Sequence, residues 1–164
     1  MPGSRTSMKA GNRQPAVRCQ AGVLLTTLLL LGGCSGSHAL NMTVAGTPNL
    51  NSAEGTSGGN AAIVRIYQLS DSTNFRAATL DAFWQADDEA LGDELVDSRQ
   101  LLLYPGALEQ FEIELAETTQ FIGVAADLRR PVPDQWRVVH VLSDLRGKRI
   151  RVEVGRDHVN LSIQ

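Results

Sequence analysis

Cys19 and Cys34 are the only cysteines in 164 residues. That number excludes a disulfide-rich scaffold and a four-thiolate zinc site. Aromatic residues are scarce at 5%, so base-stacking platforms are not expected. A basic excess is missing too. The 15 Lys and Arg stand against 18 Asp and Glu, a formal net charge of −3, whereas a nucleic-acid binder needs a basic face to displace counterions. No HExxH, P-loop or EF-hand spacing occurs. The histidines His38, His140 and His158 do not cluster. His140 alternates with Val139 and Val141 and is expected to point outward from a strand. His158 opens a strand and is expected to cap the Arg156-Asp157 turn. The pattern calls for no catalytic residue, cofactor, metal or small-molecule substrate.

The charge that is present is unevenly spread. Residues 1–33 carry Arg5, Lys9, Arg13 and Arg18 and no acid, which leaves 11 bases against 18 acids in 34–164, a net of −7. A basic, acid-free leader on an acidic body is the signature of targeting. After Arg18 comes the apolar run Ala21–Leu31, 11 residues long. A bilayer-spanning helix needs about 20, so the run has the length of a signal-peptide core. It ends in Leu31-Gly32-Gly33-Cys34, which resembles a bacterial lipobox. An ordinary signal peptide with an incidental cysteine is the alternative. The resemblance implies cleavage before Cys34, a diacylglycerol on its thiol and, in most such proteins, an acylated amine. Cys19 would be removed with the leader, and Met8 is an alternative start. Ser35, unlike Asp at that place, is permissive for transfer to the outer membrane.

Residues 34–39 read as a Gly/Ser tether and 40–164 as one domain, long enough to bury a core. Alternation predicts strands over Leu40–Gly46, Ala61–Leu69, Leu101–Tyr104, Leu108–Leu115, Thr119–Leu128, Trp136–Leu142, Lys148–Val154 and His158–Ile163. Phe111, Ile113, Leu115, Ile150, Val152, Val154, Val159, Leu161 and Ile163 fall on their inward positions. Asp71–Asn74 reads as a turn. Leu80, Phe83, Trp84, Leu91 and Leu95 recur at helical spacing, which predicts two helices, about 78–86 and 88–95. Eight short strands with frequent turns predict an all-β fold, an antiparallel β-sandwich with one small helical insertion. The acids Asp87, Asp88, Glu89, Asp93, Glu94 and Asp97 have the wrong order for a calcium loop and read as a solvated helix face. Trp84 and Trp136 read as core packing rather than pocket lining, with Trp84 expected to seat the insertion.

Thr47–Asn60 carries Pro48 and several Gly, Asn and Ser. It is a long loop, of the kind that is functional or mobile. Only Leu50 in it is strongly apolar, so the loop is expected to add little to folding stability.

The stretches Val64-Arg65-Ile66-Tyr67-Gln68-Leu69, Leu80-Asp81-Ala82-Phe83-Trp84, Leu91-Gly92-Asp93-Glu94-Leu95, Tyr104-Pro105-Gly106 and Phe121-Ile122-Gly123-Val124-Ala125-Ala126, in this order and downstream of a lipobox, resemble the type VI secretion outer-membrane lipoproteins of the TssJ (SciN) family. Asn49-Leu50-Asn51 and Glu54-Gly55 are similar to that family's contact loop, although Asn60-Ala61-Ala62 stands where the family has Pro. The resemblance implies a transthyretin-like sandwich. It implies a non-enzymatic role, docking the periplasmic C-terminal part of the inner-membrane protein TssM onto the outer membrane. Carried onto this chain, the contact residues are Asn49, Leu50, Asn51, Ser52, Glu54 and Gly55, with Leu50 the expected apolar anchor and Asn49, Asn51 and Glu54 its polar rim. The competing expectation is a periplasmic lipoprotein that binds a small molecule or glycan in a sandwich cleft. An apolar cleft with convergent polar groups would favour it.

Overall fold

A computed structural model describes residues 39–53 and 58–164. The leader, Cys34, Glu54 and Gly55 lie outside the described residues. The elements run β1 (Ala39–Gly46), β2 (Ala62–Leu69), α1 (Thr73–Ala77), α2 (Leu80–Gln85), α3 (Asp87–Leu91), a 3-10 turn (Gly92–Glu94), β3 (Leu95–Leu103), β4 (Leu108–Glu114), β5 (Phe121–Ala126), β6 (Arg137–Val141), α4 (Leu142–Leu145), β7 (Arg149–Val154) and β8 (Val159–Ile163). Two four-stranded sheets form, in the orders β4-β1-β7-β8 and β3-β2-β5-β6. Every neighbouring pair is antiparallel except β1 and β7, which run parallel with Asn41 opposite Arg149. A parallel pair needs a long crossover, and here everything between β1 and β7 is that connection. The fully antiparallel expectation is corrected at this pair.

Period-two alternation builds the core. Leu40, Met42 and Val44 of β1, Ile150, Val152 and Val154 of β7, and Ile113 of β4 face Val64 and Ile66 of β2, Leu103 of β3, and Ile122 and Val124 of β5. The inward positions read from the sequence are therefore core positions, with one exception. Ile163 pairs with Ile150 yet remains 42% exposed, because it ends an edge strand. His140 is a second correction. It pairs with Ile122, so it sits on the inner side of the edge strand β6, half-buried, while Val139 and Val141 take the outer side.

One polar side chain crosses the core. Gln68 is buried. Its amide nitrogen donates to the Glu114 carbonyl at 2.8 Å and to Asp97 at 3.2 Å, and its oxygen accepts from Ala116 N at 2.9 Å and Thr119 Oγ1 at 2.8 Å. Two donors and two acceptor sites are thus all used, and the bonds tie β2 to the end of β4 in the other sheet.

The helical insertion covers the outer face of the β2-containing sheet. Tyr67, Leu69, Phe75, Phe83, Leu91, Ala125 and Trp136 form a second buried cluster there. Phe83 is its hub, edge-to-face with Trp136 at 5.0 Å, Tyr67 at 5.4 Å, Phe75 at 5.6 Å and Trp84 at 5.8 Å. Gly123 makes room for this layer, since a Cβ there would lie 2.9 Å from the Phe75 ring. Phe83, not Trp84, seats the insertion. Trp84 is half-buried under Arg65, whose guanidinium lies 4.8 Å from the indole centroid.

The insertion begins earlier than the spacing predicts. The Asp71 carboxylate accepts from Ser72 N and Thr73 N, and the Glu94 carboxylate accepts from Asn74 N at 2.9 Å. These bonds satisfy the free N–H groups of a first turn, so the expected turn at 71–74 opens α1. The helix expected to reach Leu95 ends at Leu91, and Leu95 already pairs with Leu69 across a bulge.

Candidate functional site

The β1–β2 connection starts at the far end of β1 from the tether. Thr47 N donates to Val154 O at 3.0 Å, Leu50 N to Thr47 O at 3.0 Å, and Asn51 N to Gly155 O at 3.2 Å. The first half of the loop is therefore laced to β7 and its following turn. Leu50 is fully buried and joins the main core. Asn51 adopts a left-handed backbone, φ 50°, which Asn tolerates better than most residues. Its amide donates to Ala61 O at 3.0 Å, and its side-chain oxygen accepts from Arg129 N at 2.7 Å. Asn60 returns to the Asn51 carbonyl at 3.1 Å. Ser52 is buried as well.

These positions correct two expectations. Leu50 cannot serve as an exposed anchor, and Asn51 and Ser52 are spent on internal contacts. The loop is also no stability-neutral appendage, because its first six residues close one end of the sandwich. Of the predicted contact residues within the described range, Asn49 alone is exposed. Its side chain accepts from Thr47 Oγ1 at 2.7 Å, and Pro48 is exposed beside it.

The β3–β4 connection, a tight turn that carries the chain from one sheet to the other, packs against this loop. Tyr104-Pro105-Gly106-Ala107 closes with Ala107 N donating to Tyr104 O at 3.0 Å. Pro105 at the second place and Gly106 at the third with φ 74° meet the requirements of a type II turn. Gly106 N donates to Gly46 O at 3.0 Å and Gly46 N to Ala107 O at 2.9 Å. Gly59 fits only as glycine, since a Cβ would lie 2.8 Å from Pro105 Cγ and from two carbonyl oxygens. Leu102, Tyr104 and Leu108 are exposed at this connection. Sequence reading took the segment only as a strand, a turn and another strand. The signal it passed over is alternation: with Leu101 and Leu103 facing inward, Leu102 must face out.

Elsewhere the polar groups have structural roles. Asp87 accepts from the Tyr67 hydroxyl at 2.7 Å and pairs with Arg65 at 2.9 Å. Burial would raise the Asp87 pKa, but bonds from Tyr67 and Asp88 and the charge of Arg65 hold it below the usual carboxylate range. Burial, and then the bond to Asp87, push the Tyr67 phenol well up. Arg137 donates to the Ala78 carbonyl at 2.6 Å. Burial lowers its pKa against the opposing charge of Asp134. His158 lies 2.9 Å from Asp157, the contact expected of a turn cap. Among the described residues no group of three His, Cys, Asp or Glu is placed to hold a metal ion. A depression of about 690 Å³ on the uncovered face of the β1-containing sheet is lined by Asn41, Thr43, Gln110, Glu112, Arg149 and Arg151 among others. It is an open polar sheet face and not the apolar cleft that a small-molecule site would favour. No helix among the described residues is long and apolar enough to cross a membrane.

Comparison with known proteins gives one family. The profile of the type VI secretion lipoproteins (VasD, EvfM, TssJ, VC_A0113) matches residues 38–157. No curated protein matches the chain. Among solved structures, the lipoprotein TssJ1 of Pseudomonas aeruginosa is 23% identical with a TM-score of 0.68, covering 77% of this chain and 95% of that one. A chain from a type VI membrane complex is 26% identical with a TM-score of 0.69, covering 76% and 97%. A chain from a structure of the TssM C-terminal domain of EAEC is 24% identical with a TM-score of 0.66, covering 76% and 97%.

Proposed function

The chain belongs to the type VI secretion lipoprotein family that includes TssJ, and from that membership we propose that it is an outer-membrane lipoprotein, acylated at Cys34, that attaches the secretion complex to this membrane by binding the periplasmic C-terminal region of TssM. The role is attachment, not catalysis. The observation that carries the reading is the layout of β1. Cys34 stands five positions before Ala39, where β1 begins, and the β1–β2 loop leaves β1 at Gly46. Eight strand residues span about 26 Å. The chain from Cys34 therefore enters β1 at one end and leaves for the loop at the other, an order that suits membrane attachment with the loop end left for a periplasmic partner. The occurrence of chains with this fold in structures of a type VI membrane complex and of the TssM C-terminal domain supports the choice of partner.

Two measurements test this. Cys34→Ser should move the protein out of outer-membrane fractions, because one cluster of acyl chains is the strong membrane contact; recovery in those fractions at the wild-type level refutes the anchor. Calorimetric titration of the protein with the purified TssM periplasmic region should give saturable one-to-one binding, and a flat titration refutes the partner.

A further inference from the structure

Among the described residues, the three most exposed large apolar side chains are Tyr104 at 58%, Leu102 at 52% and Leu108 at 51%. All three lie where the chain crosses from β3 in one sheet to β4 in the other, and the segment Leu101–Leu108 contains no charge. Large exposed apolar groups gathered on one element mark an interaction site more often than scattered ones do.

Their placement is informative. Leu102 pairs with Ile63 and Leu108 with Ala45. Each alternates with core residues, Leu102 with Leu101 and Leu103 and Leu108 with the inward register of β4. Leu102 therefore lies on the outer face of one sheet and Leu108 on the outer face of the other, with Tyr104 at the turn between them. A flat partner would cover only one flank, whereas a groove would cover both flanks and the tip.

The connection is held in advance of binding. Its turn has the favoured Pro-Gly geometry, and its backbone is bonded to Gly46 and backed by Gly59. A rigid element loses little conformational freedom on binding. Tyrosine is also among the residues that most often dominate interface energies. We propose that the β3–β4 connection is an apolar plug, Tyr104 at its tip and Leu102 and Leu108 on its flanks, that inserts into a groove of the protein partner bound at the loop end. This rests on the reading that a periplasmic TssM region binds there. Lipid is disfavoured as the occupant because the chain from Cys34 joins β1 at Ala39, its other end.

The test uses the full chain carrying Cys34→Ser, with and without Tyr104→Ala, and with the triple change Leu102→Ser, Tyr104→Ala, Leu108→Ser. Thermal melting first checks that each variant is folded. The single change, at an exposed position, keeps the test available if the triple variant is unstable. Calorimetry with the TssM periplasmic region should show binding at least about tenfold weaker for Tyr104→Ala and weaker still for the triple variant. Wild-type affinity in both folded variants, with binding by the parent intact, overturns the plug and leaves the partner standing. No binding by the parent overturns both. Vesicles of phosphatidylethanolamine and phosphatidylglycerol, and sedimentation velocity of the chain alone, cover the other occupants. If the triple change abolishes vesicle binding or dissociates a dimer while TssM affinity is unchanged, the connection serves lipid or a second copy and the proposal fails.

Discussion

Leu50→Ala separates a core residue from a contact residue. The loop pattern alone makes Leu50 an exposed anchor, so its truncation should weaken partner binding and leave stability intact. Its observed position reverses this. Leu50 is fully buried in the main cluster. A Cβ on Gly46 would lie 3.1 Å from its Cδ2, and the Leu103 side chain packs beside it. Truncation removes three carbons, roughly 2.4 kcal/mol at about 0.8 kcal/mol per methylene. The space left cannot close easily, because part of its wall is backbone held by the Gly46–Ala107 and Asn60–Leu50 bonds. With the cavity term the loss should be about 3–4 kcal/mol, inside the usual range of about 2–5 for such changes. For a domain of this size that is a fall in Tm of roughly 10–15 °C. Differential scanning calorimetry reads it directly, with Asn49→Ala as a control expected to shift Tm by no more than about 2 °C. An unchanged Tm for Leu50→Ala would refute the assignment of this residue to the core.

The other expectations concern the two remaining cohesive features. Gln68→Leu leaves Ala116 N–H, the Thr119 hydroxyl and the Glu114 carbonyl without their partner; at about 1–3 kcal/mol per unsatisfied buried group, urea denaturation should show a loss of about 3 kcal/mol or more, and near-neutral behaviour would mean that water replaces the amide. Phe83→Ala should cost about 3–5 kcal/mol and clearly more than Trp84→Ala, because four rings pack on Phe83; equal losses in denaturant midpoints would contradict its place as hub. Asp87 has a folded pKa below its unfolded value of about 3.9, so its contribution is present above that value and is lost as pH falls through the lower folded one. The stability gap between wild type and Asp87→Asn should therefore be steady from neutral pH down to about 5 and shrink as pH falls below about 4, and a gap that stays constant on that further acidification would show that the Arg65–Asp87–Tyr67 contact does not titrate as described.

Alternation along the strands is local, and it was sufficient to place the inward set from Leu40 to Leu161. Each apolar residue at an every-second position has only one way to leave water once a sheet forms. The Pro105-Gly106 turn and the helical spacing around Phe83 were readable for the same reason: each is a short-range consequence of backbone sterics or composition. What lay beyond reach depends on partners distant in the chain. The parallel pairing of β1 with β7 joins Asn41 to Arg149, and nothing in either strand marks the direction of its neighbour. The α1 turn is held by Glu94 from 20 residues away. Leu50 looked exposed because its neighbours are Asn, Pro and Ser, yet the turn after β7 and the turn at Tyr104 enclose it. Leu102 and Leu108 looked like ordinary strand residues, and only the placement of β3 and β4 as edge strands of different sheets leaves them in solvent on either side of one turn. Local pattern determines which face of a strand is apolar; the tertiary assembly determines which apolar faces find cover, because cover is supplied by segments that sequence neighbours do not specify.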